Sequence, residues 1–180
     1  TLQLAEEKTE NILAMLRQGE LDAGLLALPI NQEGLEIKPL FKEPFVVAVP
    51  GEHPLAARKS ISLADLENTE LLLLEEGHCL REHALEVCAL SGAHERVDFH
   101  ATSMETLRQM VAAGVGVTLM PLLAVKPPMA ETGNVVIRPF EDPAPSRTIA
   151  LAWRSSSALS GFLSKLAGSL KKLPPALLKY

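Results

Sequence analysis

Four leucines in succession, Leu71–Leu74, end at Glu75-Glu76-Gly77 and lead directly into LREHALEVCALS, a segment with helical spacing of its apolar residues. A short apolar run closed by a turn signal reads as a buried strand, and a strand feeding a helix is the repeating step of α/β domains. The same step recurs downstream. Val97–Ala101 reads as a strand, and Thr102-Ser-Met-Glu105 matches a capping box that opens a helix with Leu107, Met110 and Val111 on one face. Gly114 closes that helix, and Val115–Met120 is again an apolar strand. This β-α-β-α-β alternation predicts an α/β domain with a mostly parallel sheet.

The flanking chain supplies a second unit. Thr1–Glu6 alternates as a strand would, Thr9 is placed as the cap of a helix with Ile12, Leu13 and Leu16 on its apolar stripe, and Gly19 ends that helix. Leu21–Leu28 has the near-continuous apolar run of a parallel strand covered on both faces. A chain that opens directly on a strand is expected to be part of a longer protein. Leu35–Leu40 and Pro44–Pro50 read as two further strands, the second leaving the first domain through Glu43-Pro44. Ser62-Leu-Ala-Asp65 is a short capped helix. Pro127, Pro128, Pro143 and Pro145 bracket a strand at Val135–Arg138, Thr148–Trp153 returns, and Leu159–Leu170 is a closing helix packed through Phe162, Leu163, Leu166 and Leu170.

Charge narrows the partners. The net charge of the 180 residues is −5 with no dense run of Lys or Arg, so direct nucleic-acid binding by this chain is not expected. No uncharged apolar stretch reaches 18 residues and no signal peptide opens the sequence, which predicts a cytoplasmic protein without membrane contact. In a reducing cytoplasm two cysteines are more often redox-active, metal-binding or simply buried than a structural disulfide.

Those two cysteines, Cys79 and Cys88, lie nine residues apart in the predicted helix. A wound helix would separate their Cα atoms by about 13.5 Å and turn them to opposite faces, whereas a disulfide needs Cα atoms within about 7 Å. Joining them requires the segment between to unwind. One reading is a redox switch whose oxidised form has a different local fold; the other is two unrelated thiols, since free cysteine is a common small buried hydrophobe. A helix N-terminus, His78 and Arg81 favour a thiolate at Cys79, while Glu75, Glu76 and Glu82 act in the opposite sense. Cys88, among Val87, Ala89 and Leu90, sits in a sheltered apolar setting. A zinc site from His78, Cys79, His83 and Cys88 is the less favoured alternative because no C-x-x-C pair is present. No cofactor is expected: Gly114-Val-Gly116 follows a helix where a dinucleotide fingerprint follows a strand.

Three stretches carry a resemblance. Gly19-Glu-Leu-Asp-Ala-Gly24, Val49-Pro-Gly-Glu-His-Pro-Leu55 and Val111-Ala-Ala-Gly-Val-Gly-Val-Thr-Leu-Met-Pro121 resemble the regulatory domain of LysR-type transcriptional regulators. Glu76-Gly-His-Cys-Leu-Arg81 with Cys88, and Ala101-Thr-Ser-Met-Glu-Thr-Leu-Arg108, are similar to the peroxide-sensing branch of that family. The resemblance implies a periplasmic-binding-protein-like α/β fold of two subdomains with mostly parallel sheets, joined by two crossover strands near Glu43–Val47 and Arg147–Ala150. The expected division is 1–45 plus 149–180 for subdomain I, its first strand and helix absent, and 46–148 for subdomain II with both cysteines. A homodimer is implied, tetrameric at full length, reaching DNA only through a helix-turn-helix domain absent here, with RNA polymerase as a partner.

By that resemblance Cys79 is the peroxidatic and Cys88 the resolving cysteine, with Thr9, His78 and Arg147 as polar surroundings of the thiol; Gly77, next to His78, is placed in the same pocket. Two family positions near it, a histidine and an arginine, are occupied here by Asp98 and His100. The chain is expected to be a sensor of hydrogen peroxide and no enzyme. Two alternatives stay open: a thiol peroxidase, and an effector domain that binds a small anion at the helix N-terminus of Thr102 and Ser103.

Overall fold

The computed structural model describes residues 2–127 and 133–180. They fall into two compact units, one of residues 1–42 and 147–174 and one of 43–146 and 175–180. The tail 175–180, expected with the first unit, belongs to the second: Tyr180 Oη donates to Ile137 O (2.8 Å), and Lys126 Nζ donates to Lys179 O (2.6 Å).

In the first unit, α1 (Thr9–Gln18) and α4 (Ser160–Leu170) cover opposite faces of strands β1 (Gly24–Leu28), β7 (Ser146–Arg154) and the start of β2 (Leu35–Pro50). Side chains alternate across a strand, so neighbouring residues of β7 serve different helices. Ala152 joins Leu13, Leu16, Leu26 and Leu35 in one apolar cluster, while Leu151 and Trp153 join Leu40, Leu163 and Ala167 in the other. Phe162, expected inside, is 64% exposed.

Two sequence expectations change in this unit. Residues 2–6 form no strand: Leu2 and Leu4 alternate but are exposed, with no core to bury them, and Thr1 lies outside the described residues. β1 was expected parallel and covered on both faces; it runs antiparallel to β7, Gly24 opposite Ala152 and Leu28 opposite Thr148, and leaves Leu25 exposed. An apolar run reports burial, not direction, so the sequence carries no sign of this reversal.

In the second unit, β3 (Glu70–Leu74) pairs in parallel with β4 (His94–Ala101), and Leu71 bridges in parallel to Val117, just ahead of β5 (Thr118–Pro121). β2 runs antiparallel to both β5 and β6 (Val135–Pro139). Thus β3, β4, β5 and β6 share one direction, as the alternation predicts, and β2 alone opposes them. The core gathers Phe45–Val49 of β2, Leu71–Leu74 of β3, and Leu80, Ala84, Val87 and Cys88 of α2 (Cys79–Ser91), with Leu107 and Val111 of α3 (Met104–Ala112).

β2 is one continuous strand, not the two that Pro44 predicts. Proline removes a donor from a ladder. It interrupts neither the ladder with β5, which begins at Phe45, nor that with β6, which begins at Val46. Of the prolines bracketing β6, Pro128 lies outside the described residues.

Candidate functional site

The β3–β4 pairing carries the chain to the turn that opens α2, where Glu75 N donates to Ala101 O (3.0 Å). Gly77 then takes φ +88°, a left-handed conformation that costs a residue without Cβ little. His78 follows in extended conformation as the N-cap, and Cys79 is the first helical residue. Cys79 therefore stands where the helix presents unsatisfied amides and the positive end of its dipole. Its side chain is partly exposed and its sulfur free.

His78 does not cap α2 with its side chain. Its Nε2 is buried, finds no hydrogen-bond partner among the described residues, and lies 3.9 Å from Glu75 Oε1, beyond hydrogen-bond reach. A buried imidazole nitrogen without a partner is costly, and such groups cluster at functional positions.

Arg81, a sequence candidate for supporting the thiolate, is committed elsewhere. Nη1 and Nη2 form a two-pronged pair with Glu95 of β4, the Nη2–Oε2 distance being 2.9 Å, and Nη1 also donates to Leu74 O (3.2 Å). This fork ties the first turn of α2 to the ends of β3 and β4. The bond with Glu95 holds the Arg81 pKa above its usual value. Of the two residues at substituted family positions, His100 places Nδ1 3.5 Å from Glu95 Oε1, and Asp98 is exposed on β4.

Cys88 lies in the same unbroken helix. It is 6% exposed, within the stripe of Leu80, His83, Ala84, Val87 and Ser91 that α2 turns to the core. Burial pushes its thiol pKa up; the Glu95 charge adds to this, and a backbone hydrogen bond opposes it. Nine residues at about 1.5 Å rise place the two Cα atoms about 13.5 Å apart, and about 100° per residue turns them to opposite sides of the helix. The two thiols are free, and no disulfide can span this geometry.

The residue that sequence reasoning weighed only as a zinc ligand is His83. It is 7% exposed, its Nδ1 lies 2.7 Å from the carbonyl oxygen of Cys79, and its ring stands 6.1 Å from that of Phe45. The spacing of four from Cys79 is the signal that places it over that carbonyl. Among the described residues no three of His, Cys, Asp or Glu come together in a way that could hold a metal ion.

The remaining candidates are placed as follows. Ser103, not Thr102, is the N-cap of α3, and its Oγ accepts from Thr106 N (3.1 Å). Glu105 turns to Arg108 and Gln109, so no capping box forms, and the Ser103 hydroxyl takes one amide of this helix N-terminus, that of Thr106. Thr9 is the first residue of α1; the N-cap is Lys8, whose side chain does not cap the helix amides. Arg147 is the second residue of β7. Thr9 and Arg147 belong to the first unit, whereas Gly77, His78, Cys79, Cys88, Thr102 and Ser103 belong to the second, so the second unit alone brings His78 and both cysteines onto one turn and helix.

A family model described as the LysR substrate binding domain matches residues 1–173. The DNA-binding transcriptional dual regulator OxyR of Escherichia coli (strain K12) is 45% identical over 168 residues, which are 93% of this chain and 55% of that protein. A probable hydrogen peroxide-inducible genes activator of Mycobacterium avium is 42% identical over 174 residues, 96% of this chain and 56% of the relative. The chain thus spans about half the length of these curated relatives. Among solved structures, the reduced form of OxyR matches with a TM-score of 0.82 and 43% identity over 94% of this chain and 79% of that one. The oxidized form of OxyR matches with 0.81 and 46% over the same shares. The two-subdomain, periplasmic-binding-protein-like α/β architecture is that of these regulatory domains, and the chain belongs to the LysR substrate-binding domain family.

Proposed function

We propose that this chain is the hydrogen-peroxide-sensing regulatory domain of a LysR-type transcription factor, switched by a reversible disulfide between Cys79 and Cys88. The observation that carries the reading is that both thiols sit on one wound helix, one at its N-terminus and one buried in its core stripe. In the first step the Cys79 thiolate attacks one peroxide oxygen. The O–O bond breaks, hydroxide leaves and is protonated to water, and Cys79 becomes a sulfenic acid. Residues 80–88 then unwind, the Cys88 sulfur attacks the Cys79 sulfur, the S–O bond breaks, and a second water leaves with the thiol proton. Two electrons pass from the thiol pair to peroxide.

The Nε2 of His78, without a hydrogen bond among the described residues and next to Cys79 in the chain, supports a polar molecule reaching this turn. Gly77 is assigned with it by adjacency, and Thr9 and Arg147 by the family resemblance. Oxidation supplies the energy for remodelling: for a two-electron couple about 30 mV corresponds to about 1.4 kcal/mol, so on the order of 100 mV matches the stability of a local segment. A homodimer, tetrameric at full length, would pass the change to a separate DNA-binding domain and to RNA polymerase, in line with relatives named as regulators and activators.

The test is mass spectrometry after one equivalent of peroxide. A Cys79–Cys88 crosslink that Cys79→Ser abolishes is the expected result. Two free thiols after treatment would overturn the reading, and continuous peroxide consumption with a thiol reductant would replace it with a peroxidase.

A further inference from the structure

The strongest unassigned group is His83, buried between α2 and β2 with its ring against Phe45. A carbonyl oxygen can only accept, so the 2.7 Å contact with Cys79 O requires the proton on Nδ1. The helical ladder already directs the His83 amide to the same oxygen. The first turn of α2 is therefore closed twice at Cys79, by backbone and by side chain, and the second closure is fixed in place by core packing.

Resting on the disulfide reading above, we propose that His83 is a positioning residue that latches the first turn of α2 in its wound, dithiol form and thereby sets the reduction potential of the Cys79–Cys88 couple. The wound form has this bond; a form in which residues 80–88 have unwound to bring the sulfurs together does not, because Cys79 O and His83 no longer lie one turn apart. Removing the donor destabilises the dithiol alone. Exchange with glutathione, in which the disulfide and two thiols of glutathione give the dithiol and glutathione disulfide, then shifts toward the protein disulfide. One net hydrogen bond changes that equilibrium about fivefold, which at 29.6 mV per decade is about 20 mV toward a more negative potential.

The experiment titrates the full chain in glutathione redox buffers and reads the disulfide fraction by alkylation and mass spectrometry. His83→Leu fills the core but cannot donate; His83→Asn places an amide N–H where Nδ1 stands. His83→Leu is expected to shift the equilibrium about fivefold, and His83→Asn to stay within about twofold of the parent. A parent-like His83→Leu, or an equal shift in the two variants, would overturn the latch while leaving the disulfide reading standing. Failure of the parent chain to form the Cys79–Cys88 disulfide would overturn both. Nitrogen-15 NMR of the parent protein gives a readout that needs no variant: the reduced protein should show His83 protonated at Nδ1, and protonation at Nε2 alone contradicts the proposal.

Discussion

Replacing Arg81 with methionine tests what fastens α2 to the sheet. The guanidinium makes two bonds to Glu95 and one to Leu74 O, with the Arg81 and Glu95 side chains only 15% and 17% exposed. A fully exposed ion pair contributes about 0–1 kcal/mol, and breaking a fully buried one costs about 3–5 kcal/mol because a charge is left behind. This pair is largely but not wholly desolvated, and Arg81→Met leaves the Glu95 carboxylate with His100 Nδ1 at 3.5 Å as its neighbour. A loss of about 2 kcal/mol follows from these bounds. For a chain of 180 residues that is about 4–8 °C in Tm. Urea unfolding of the reduced protein gives the free energy, and a cycle with Glu95→Met and the double variant gives the coupling, expected to be at least about 1 kcal/mol. The shift should persist in 1 M salt, where surface pairs are screened. An additive cycle, or an Arg81→Met variant within about 0.3 kcal/mol of the parent, would show that the fork fastens nothing.

Acid provides a second check. The Ser62 amide donates to Asp65 Oδ2 (2.9 Å), the Ser62 hydroxyl donates to the same oxygen (2.8 Å), and Arg58 lies beside Oδ1. These hold the Asp65 carboxyl below its ordinary value, the amide bond contributing most. A carboxyl depressed in the folded state stabilises fully above its unfolded value and is lost as pH falls through the folded one. Stability should therefore drop below about pH 4, and Asp65→Asn should flatten that part of the curve in a pH series of urea midpoints. Alkylation provides a third. With iodoacetamide at pH 8, Cys79 should label first and Cys88, buried and with its pKa pushed up, should lag by on the order of tenfold until urea removes the difference; equal rates in the folded protein would contradict the burial of Cys88.

The elements with a clean apolar period were legible before any coordinates. Leu71–Leu74 marked β3 because burial on both faces leaves an unbroken apolar run, and the stripe around Leu107 and Val111 marked α3 because burial on one face writes its period into the chain. Features set by partners distant in sequence were not legible. Pro44 ends a strand by local rules, and only the pairings that begin just beyond it, at Phe45 with β5 and at Val46 with β6, show how β2 continues. Ser103 and Thr102 are equivalent caps by composition, and the structure chose the one whose oxygen meets Thr106 N. Arg81 is two residues from the thiol in the chain, and only Glu95, fourteen residues away, commits it elsewhere. At the site the two cysteines and their separation followed from spacing alone. The role of His83 did not, because its partner is a backbone carbonyl that no side-chain motif announces.

The proposed switch requires α2 to be wound while both thiols are free and unwound once they are joined. Amide hydrogen exchange across His83–Cys88, compared before and after one equivalent of peroxide in the same sample whose crosslink is mapped, measures this directly. Protection of these amides in the reduced protein and its loss on oxidation, with the flanking strands β3 and β4 unchanged, is the predicted result. A mapped Cys79–Cys88 disulfide with every amide of the segment as protected as before would contradict it.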